Sequence, residues 1–194
     1  VSRLMPDNGV DLLLHGLARV RRARPDAKLV ILGDGPDRPR LERLCGELRQ
    51  QEHVHFTGAI YDEQCVAPWM LSATLFCYPR NIGLSLLHAF GYGLPVVTSD
   101  DVPGHNPEIE ALKPSVNGLL YRDGDLDDIV RQWLDLMNDP ALRQRLSAAA
   151  SRTVTDRYTL DHMVQGFLHL IGSVDGHMRQ VQAVPEAMAN DRVL

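Results

Sequence analysis

Short apolar runs alternate along this chain with longer stretches in which apolar residues recur every three or four positions. A run such as Lys28-Leu-Val-Ile-Leu-Gly33 is typical of a strand buried in a parallel sheet. A stretch such as 9–23 has its leucines on one face and predicts an amphipathic helix. Strands are predicted at 28–33, 54–58, 75–78, 95–99 and 118–121, and helices at 9–23, around 41–48, and at 61–71, 83–92, 125–137, 140–154 and 159–172.

The alternation of strand and helix predicts βαβ units and therefore an α/β fold: a doubly wound parallel sheet with helices on both faces. The opening residues 1–4 are interpreted as the tail of a strand already under way. Because crossovers between parallel strands are right-handed, the C-terminal ends of the strands are expected at one edge, where ligands bind. The candidate binding loops are 3–9, 33–37, 58–62, 79–84 and 99–108.

The helical pattern fades near the C-terminus. Gly172-Ser-Val-Asp-Gly176 is expected to break the last helix, because glycine is a poor helix former. The sequence therefore predicts one domain over residues 1–172. Residues 173–194 are predicted to form a tail that is mobile or needs a partner surface.

Composition narrows the function classes. The 194 residues are 44% hydrophobic and 23% charged, as in ordinary soluble globular proteins, and the formal net charge of −5 argues against a nucleic-acid partner. Three widely spaced cysteines and the isolated pair His53 and His55 give no metal-ligand spacing, so no metal site is predicted. The cysteine usage, with no apolar run long enough to cross a bilayer, favours a cytoplasmic location.

Two local motifs have weak chemical interpretations. Gly33-Asp-Gly35 follows a strand and opens a helix, so its amides could approach a phosphate. Position 38 is arginine, however, which breaks the G-x-G-x-x-G fingerprint of dinucleotide sites and favours a simple strand-to-helix turn. Ser85 and His88 could suggest a hydrolase, but Gly83-Leu-Ser-Leu-Leu87 lacks the second glycine of a nucleophile elbow.

The stretch 79–99 is more informative. A helix is predicted to begin at Gly83-Leu84, at the mouth of the sheet, where free amides could hold a diphosphate. Gly91 and Gly93 allow the helix and the next strand to pack closely. These features alone fit a nucleotide or phosphate pocket and ordinary packing about equally.

Several motifs in a fixed order make the resemblance specific. These are G-D-G-P at 33–36, V-H-F-T-G at 54–58, P-x-x-x-G-L at 79–84, H-A-F-G-Y-G-L-P-V-V at 88–97, P-E-I at 107–109 and N-G-L-L at 117–120. In this order the chain resembles the C-terminal domain of family 4 (group 1) glycosyltransferases over residues 1–172. The resemblance implies half of a GT-B fold, whose C-terminal, Rossmann-like half binds a nucleotide-diphosphate sugar while the N-terminal half binds the acceptor. It also implies retaining transfer that needs neither a metal nor another cofactor.

The resemblance assigns donor-binding residues. Arg3 matches the arginine that neutralises the donor diphosphate, and Asn8 stands where the family has a lysine. Ile60 matches a position whose backbone meets the nucleobase. Gly83 and Leu84 match backbone that meets the diphosphate and the sugar, and Gly33 belongs to the glycine turn of the same site.

The two motif glutamates of the family are both replaced. Arg80 stands at the first position, where it cannot act as an acid or base but could hold the leaving diphosphate. His88 stands at the second, where a neutral ring could still accept one hydrogen bond from a ribose hydroxyl. Glu108 matches a family position at the donor end of the cleft and could contact a sugar hydroxyl, with His105 a weaker candidate in that loop.

These assignments predict a glycosyltransferase that moves a sugar from a nucleotide diphosphate to an acceptor hydroxyl, in polysaccharide biosynthesis. A glycan or lipid-linked acceptor would be held by an N-terminal domain absent here, without which this half is inactive. That domain could bring the protein to the inner face of the membrane. The alternatives are a degenerate module that binds without catalysis and, less favoured, a sugar-nucleotide epimerase of the same architecture.

Overall fold

The computed structural model describes the backbone of residues 3–182 and the side chains of residues 3–172. The chain divides into two compact units, Val1–Thr155 and Asp156–Leu194. The first unit contains every strand of the described region. The predicted tail lies partly outside the described residues, from 183 onward.

The strands and helices alternate in the predicted order. The strands are β1 (Leu29–Leu32), β2 (Val54–Gly58), β3 (Phe76–Cys77), β4 (Val96–Ser99) and β5 (Gly118–Tyr121). The helices are α1 (Val10–Val20), α2 (Arg38–Glu47), α3 (Glu63–Ser72), α4 (Ser85–Gly91), α5 (Leu126–Asn138), α6 (Pro140–Arg157) and α7 (Leu160–Gln182). Short 3₁₀ turns cover Pro6–Asn8, Val102–Gly104 and Pro107–Ala111.

Every pairing between these strands is parallel, which confirms the α/β prediction. β1 pairs with β2, with Leu29 opposite Val54. β4 lies between β3 and β5, with Val96 opposite both Phe76 and Gly118. The strands therefore form a two-stranded and a three-stranded sheet, whereas the sequence pattern had suggested one continuous sheet.

Apolar side chains cover both faces of these sheets. Successive strand residues point to opposite faces, and Val96 and Val97 accordingly belong to two different buried clusters. The first cluster takes its helical residues mainly from α1, α2 and α5, and the second from α3 and α4. This division confirms the prediction of helices on both faces.

An apolar cavity of about 470 Å³ separates the two sheets. It is lined by all four residues of β1, by residues 75–77 at β3, and by side chains that include Leu4 and Trp133. The interruption of the sheet therefore coincides with empty space inside the first unit.

The described part of the second unit consists mainly of α7, and this helix corrects one prediction. The helix continues through the 172–176 segment that was expected to break it. Two glycines without a proline cost a helix only about 1 kcal/mol each, so they do not have to end it. Among the helices in the described part of the chain, none combines the length and apolar character needed to cross a bilayer.

Candidate functional site

The five loops predicted to bind ligand are joined by close contacts at the carboxyl edge of the strands. A Cβ atom built on Gly9 would lie 3.2 Å from Cβ of Pro79, so the loops 3–9 and 79–84 touch. The Asn81 side-chain amide donates to the carbonyl of Asp7 across the same junction, over 3.3 Å. Gly33 donates its amide to the carbonyl of Gly58 over 2.9 Å and thereby joins two further loops. The structure thus brings these loops together as the sheet topology predicted.

The first loop presents Arg3 at the surface. The Asn8 side-chain amide donates to the Arg3 carbonyl over 2.8 Å, and Gly9 continues the chain in the left-handed region at φ 68°. The next residue, Leu4, is buried and anchors this loop in the first cluster. Asn8 therefore holds the backbone of Arg3 in place. Its match to a phosphate-binding lysine did not predict this structural role.

The glycine turn after β1 is occupied by internal contacts. The Gly33 amide is engaged by Gly58, and the Gly35 amide donates to the Asp34 side chain over 2.7 Å. A Cβ atom on Gly35 would lie 2.3 Å from the Leu4 carbonyl oxygen. These contacts account for both glycines as parts of a tight turn, and they leave neither amide free for a phosphate.

Arg80 is engaged in a bidentate ion pair. Its Nε and Nη2 lie 2.9 and 3.1 Å from the two carboxylate oxygens of Asp123, in the loop after β5. The hydrogen bonds to Asp123 raise the pKa of the guanidinium further above its ordinary value. Asp100 holds Asp123 in place, because its carboxylate accepts a hydrogen bond from the Asp123 amide over 2.9 Å. A phosphate that binds Arg80 would have to share it with Asp123.

His88 lies in a polar cluster that the sequence did not reveal. Its Nε2 is 2.8 Å from Oε1 of Glu63, in the first turn of α3. The hydroxyl of Tyr92, the residue directly after α4, donates to the same oxygen. The hydrogen bonds from Tyr92 and then His88 lower the pKa of Glu63. A carboxylate therefore lies beside the position at which the family motif has its second glutamate.

His105 joins the loop after β4 to the loop after β3. Its Nδ1 accepts the backbone amide of buried Ile82 over 3.1 Å, which requires a ring without a proton on Nδ1. Its Nε2 lies 3.1 Å from both the hydroxyl and the carbonyl of Ser99. In this arrangement Nδ1 is the acceptor and Nε2 faces the Ser99 carbonyl, so the ring fixes the loop that leads to Gly83.

The remaining predicted residues lie on the same edge. Leu84 is 72% exposed beside Gly83, whose Cα faces the Asn106 side chain. Ile60 is half-buried against the second cluster. Glu108 is half-buried in the 3₁₀ turn that follows Asn106. The described residues contain no group of three or more histidine, cysteine or acidic side chains placed to hold a metal ion.

The chain is similar to known proteins over most of its length. The family profile described as "Glycosyl transferases group 1" matches residues 1–153. The chain is 30% identical over 168 residues to a GDP-mannose-dependent alpha-(1-6)-phosphatidylinositol monomannoside mannosyltransferase of Mycolicibacterium smegmatis, covering 81% of this chain and 43% of that protein. It is 31% identical over 164 residues to alpha-D-kanosaminyltransferase of Streptomyces kanamyceticus, covering 82% and 41%. The chain spans less than half the length of these relatives.

Solved structures share the fold. HepE from Anabaena in complex with UDP superposes with a TM-score of 0.77 at 20% identity, over 89% of this chain and 47% of that one. The C-terminal domain of the group 1 glycosyl transferase LpcC from Francisella tularensis superposes with a TM-score of 0.70 at 20% identity. That match covers 81% of this chain and 83% of the domain, so the described fold corresponds to a C-terminal domain of this kind.

Proposed function

This chain belongs to the group 1 glycosyl transferases, and we propose that it forms the half that binds a nucleotide-diphosphate sugar. In the proposed reaction the bond between the sugar and the diphosphate breaks and its electron pair leaves with the diphosphate. An acceptor hydroxyl forms the new bond with retained configuration, and its proton passes to the departing diphosphate. The observation that carries the proposal is the junction of the loops 3–9 and 79–84, because it brings Arg3 and Gly83 to one edge. The acceptor, a glycan or a lipid-linked sugar, would bind to another part of a longer polypeptide.

The diphosphate is assigned to Arg3 and to the backbone of Gly83 and Leu84. Arg3 is exposed and its guanidinium can pair with phosphate oxygens in a bidentate manner. Asn8 contributes by holding the Arg3 backbone. In this proposal these groups neutralise the diphosphate, so the donor site needs no metal and no further cofactor.

The ribose is assigned to His88 and Glu63 together. The Glu63 carboxylate uses Oε1 for His88 and Tyr92, and an ionised carboxylate offers about four lone-pair sites in all. Glu63 remains 61% exposed at its side chain, so Oε2 can accept hydroxyl groups from a ligand. Through Glu63 the site keeps a negative acceptor for the ribose although the motif glutamate itself is replaced. Ile60, at the start of the loop that leads to Glu63, is assigned to the nucleobase.

The first test is calorimetric titration of the chain with UDP, GDP and ADP. We expect one nucleotide to bind selectively. Arg3→Ala should weaken it by removing a charge-assisted contact worth about 1.5–3 kcal/mol, which corresponds to roughly 10- to 150-fold in affinity. His88→Ala should weaken it too, and Glu52→Gln, on an exposed residue outside these loops, is the matched control. Absence of binding by all three nucleotides at millimolar concentration would contradict the proposed donor site.

One observation favours a second candidate, a module that binds a nucleotide sugar without transferring it. Arg80 replaces a motif glutamate and is held by Asp123, so the edge has no carboxylate at the first motif position. Glu108 is then the acid assigned to the sugar. Transfer of labelled sugar by the complete gene product, and its loss in Glu108→Gln, would support the enzyme. Nucleotide binding without transfer or hydrolysis would support the module.

A cytoplasmic location at the inner face of a membrane, with a role in polysaccharide biosynthesis, stays a prediction of the family resemblance. Fractionation of cells that express the complete gene product would test the location.

A further inference from the structure

The loop between β3 and α4 is held in place by two consecutive residues of the loop that follows β4. The Asn106 amide donates to the Ile82 carbonyl over 3.0 Å, and the Asn106 side chain donates to the Asn81 carbonyl, also over 3.0 Å. The Ile82 amide donates to Nδ1 of His105 over 3.1 Å. Both backbone groups of Ile82 therefore have their partners in the loop after β4.

The contact between His105 and Ile82 differs from the others because it depends on a proton. A backbone amide only donates, so Nδ1 accepts from Ile82 only while that nitrogen carries no proton. In an imidazolium both ring nitrogens donate, so rotation of a protonated ring would not restore the bond. Protonation would leave the Ile82 amide unpaired although Ile82 is fully buried, which is costly.

The other side of the His105 ring meets neutral groups of β4. Its Nε2 lies 3.1 Å from the hydroxyl and from the carbonyl of Ser99, and 3.5 Å from the hydroxyl of Thr98. These oxygens can accept a hydrogen bond from Nε2 in the neutral ring and in the protonated ring alike. The bond that changes with the charge of the ring is therefore the one to Ile82.

Charged side chains also lie on the two loops that meet at the ring. Arg80 forms its bidentate pair with Asp123, and the Asp100 carboxylate accepts the Asp123 amide. Asp101 and Glu108 are the other acids within 99–108, and the hydrogen bonds of the ring go to neither of them. The contacts of His105 with the loop before α4 are thus made through neutral partners.

We propose that His105 is a positioning residue that holds the backbone of Gly83 and Leu84 for the diphosphate and makes binding of the nucleotide sugar depend on pH. The inference rests on the proposed donor site. A neutral ring pairs with Ile82 and keeps the two following residues in one position, whereas a protonated ring releases them. Proton and nucleotide sugar therefore compete. This direction is opposite to that of charge attraction, by which a cationic ring would strengthen the binding of an anion.

The first measurement follows the contact without a ligand. In the complete gene product labelled with ¹⁵N-isoleucine, the Ile82 amide resonance should shift between pH 8 and pH 5, the range in which histidines change charge. In His105→Asn the same resonance should stay in place, because the side-chain oxygen accepts at every pH. A wild-type Ile82 resonance that does not move over this range would overturn the proposal.

The second measurement is the affinity of the complete gene product for UDP-glucose and GDP-mannose, by calorimetry. Nucleotide sugars are the probes because the terminal phosphate of a free nucleotide itself titrates near pH 6. Competition with one proton weakens binding by up to tenfold per pH unit, so we expect the wild type to lose about 10-fold in affinity relative to His105→Asn between pH 7.5 and pH 5. The ratio cancels any pH dependence that His88 contributes to both proteins. His53→Asn, in the turn before β2, is the matched control and should follow the wild type.

The two measurements together separate this proposal from the proposed function. A shifting Ile82 resonance with a constant affinity ratio would show that His105 has only a structural role, which refutes the proposal. A wild type that gains affinity relative to His105→Asn at acidic pH would refute it as well, because charge attraction would then dominate. Absence of nucleotide-sugar binding at every pH, while the Ile82 resonance still titrates, would contradict the donor site and with it this inference.

Discussion

Replacement of Gly35 by alanine is expected to destabilise the protein through a backbone collision. A Cβ atom at this position would lie 2.3 Å from the carbonyl oxygen, 2.7 Å from the nitrogen and 2.8 Å from the carbonyl carbon of Leu4. Carbon and oxygen atoms in close contact normally stay about 3.3 Å apart. The two backbone segments would therefore have to separate by about 1 Å.

The size of the effect follows from the contacts that this separation breaks. The Leu4 amide donates to Asp34 over 2.9 Å, and the Leu4 carbonyl accepts the Asp37 amide over 3.2 Å. Loss of both hydrogen bonds costs about 1–3 kcal/mol, and the strain of the added methyl group costs about 1–3 kcal/mol more. We expect the free energy of unfolding to fall by about 2–6 kcal/mol, which lowers the melting temperature by roughly 5–20 °C.

Urea unfolding followed by circular dichroism measures this change. Gly91→Ala is the matched control, because a Cβ atom at Gly91 would meet nothing within 4 Å. In this helical position alanine should stabilise by up to about 1 kcal/mol. Equal unfolding midpoints for Gly35→Ala and the wild type would refute the argument that Leu4 and the glycine turn are in fixed contact.

Three further predictions concern the candidate site and the cavity between the two sheets. Glu63→Gln should weaken nucleotide binding about 10-fold while leaving the 2′,3′-dideoxynucleotide unaffected, and an equal loss for both ligands in calorimetry would contradict the ribose assignment. His105→Leu should lower the free energy of unfolding by about 1–3 kcal/mol, because it leaves the Ile82 amide unpaired. His105→Asn should retain most of this stability, because its side-chain oxygen can accept from the same amide. Equal losses for the two variants in urea titrations would contradict this role. Burial raises the pKa of Cys77 to about 12, so its thiol should be ionised at pH 8 about 10³-fold less than a free cysteine. A disulfide reagent should accordingly label exposed Cys65 far faster than Cys77, and comparable rates in mass spectra would contradict the burial.

The raised pKa of Cys77 makes the free energy of unfolding fall as the pH rises. Its folded pKa lies above the ordinary thiol value, so the folded state retains a proton that the unfolded state loses. The stabilisation is fully present below pH 9 and is lost as the pH rises from about 9 to about 12. In urea titrations across this range, the wild type should lose more stability than Cys77→Ala.

The element order was predictable because it depends on local patterns. The run Lys28-Leu-Val-Ile-Leu-Gly33 became β1, and β5 was predicted with its observed bounds, because each apolar run is flanked by turn residues. The extent of α7 was not predictable, since a glycine weakens a helix without ending it. The interruption between β1 and β3 was hidden as well, because periodicity reports burial and not the identity of a strand's neighbour.

The candidate site was predictable only where it coincides with local motifs. Gly83 and His88 were proposed as site residues from the 79–97 stretch, which carries its signal within about twenty residues. Glu63 was missed because an acid in the first turn of a helix is expected from the helix dipole alone. Arg80 and Asp123 are 43 positions apart in the sequence, so no local motif could reveal their ion pair.

The interruption of the sheet also has a consequence for cooperativity. Within the described residues β1 and β2 share no strand pairing with β3, β4 and β5, so no ladder of backbone hydrogen bonds there couples the two groups. Such groups can open as separate units with their own free energies. In native-state hydrogen exchange at increasing denaturant, the exchange free energies of the β1 and β2 amides should converge on one isotherm. Those of the β4 and β5 amides should converge on another. Backbone pairing between β1 and β3 would merge the two isotherms and turn two partial unfolding events into one.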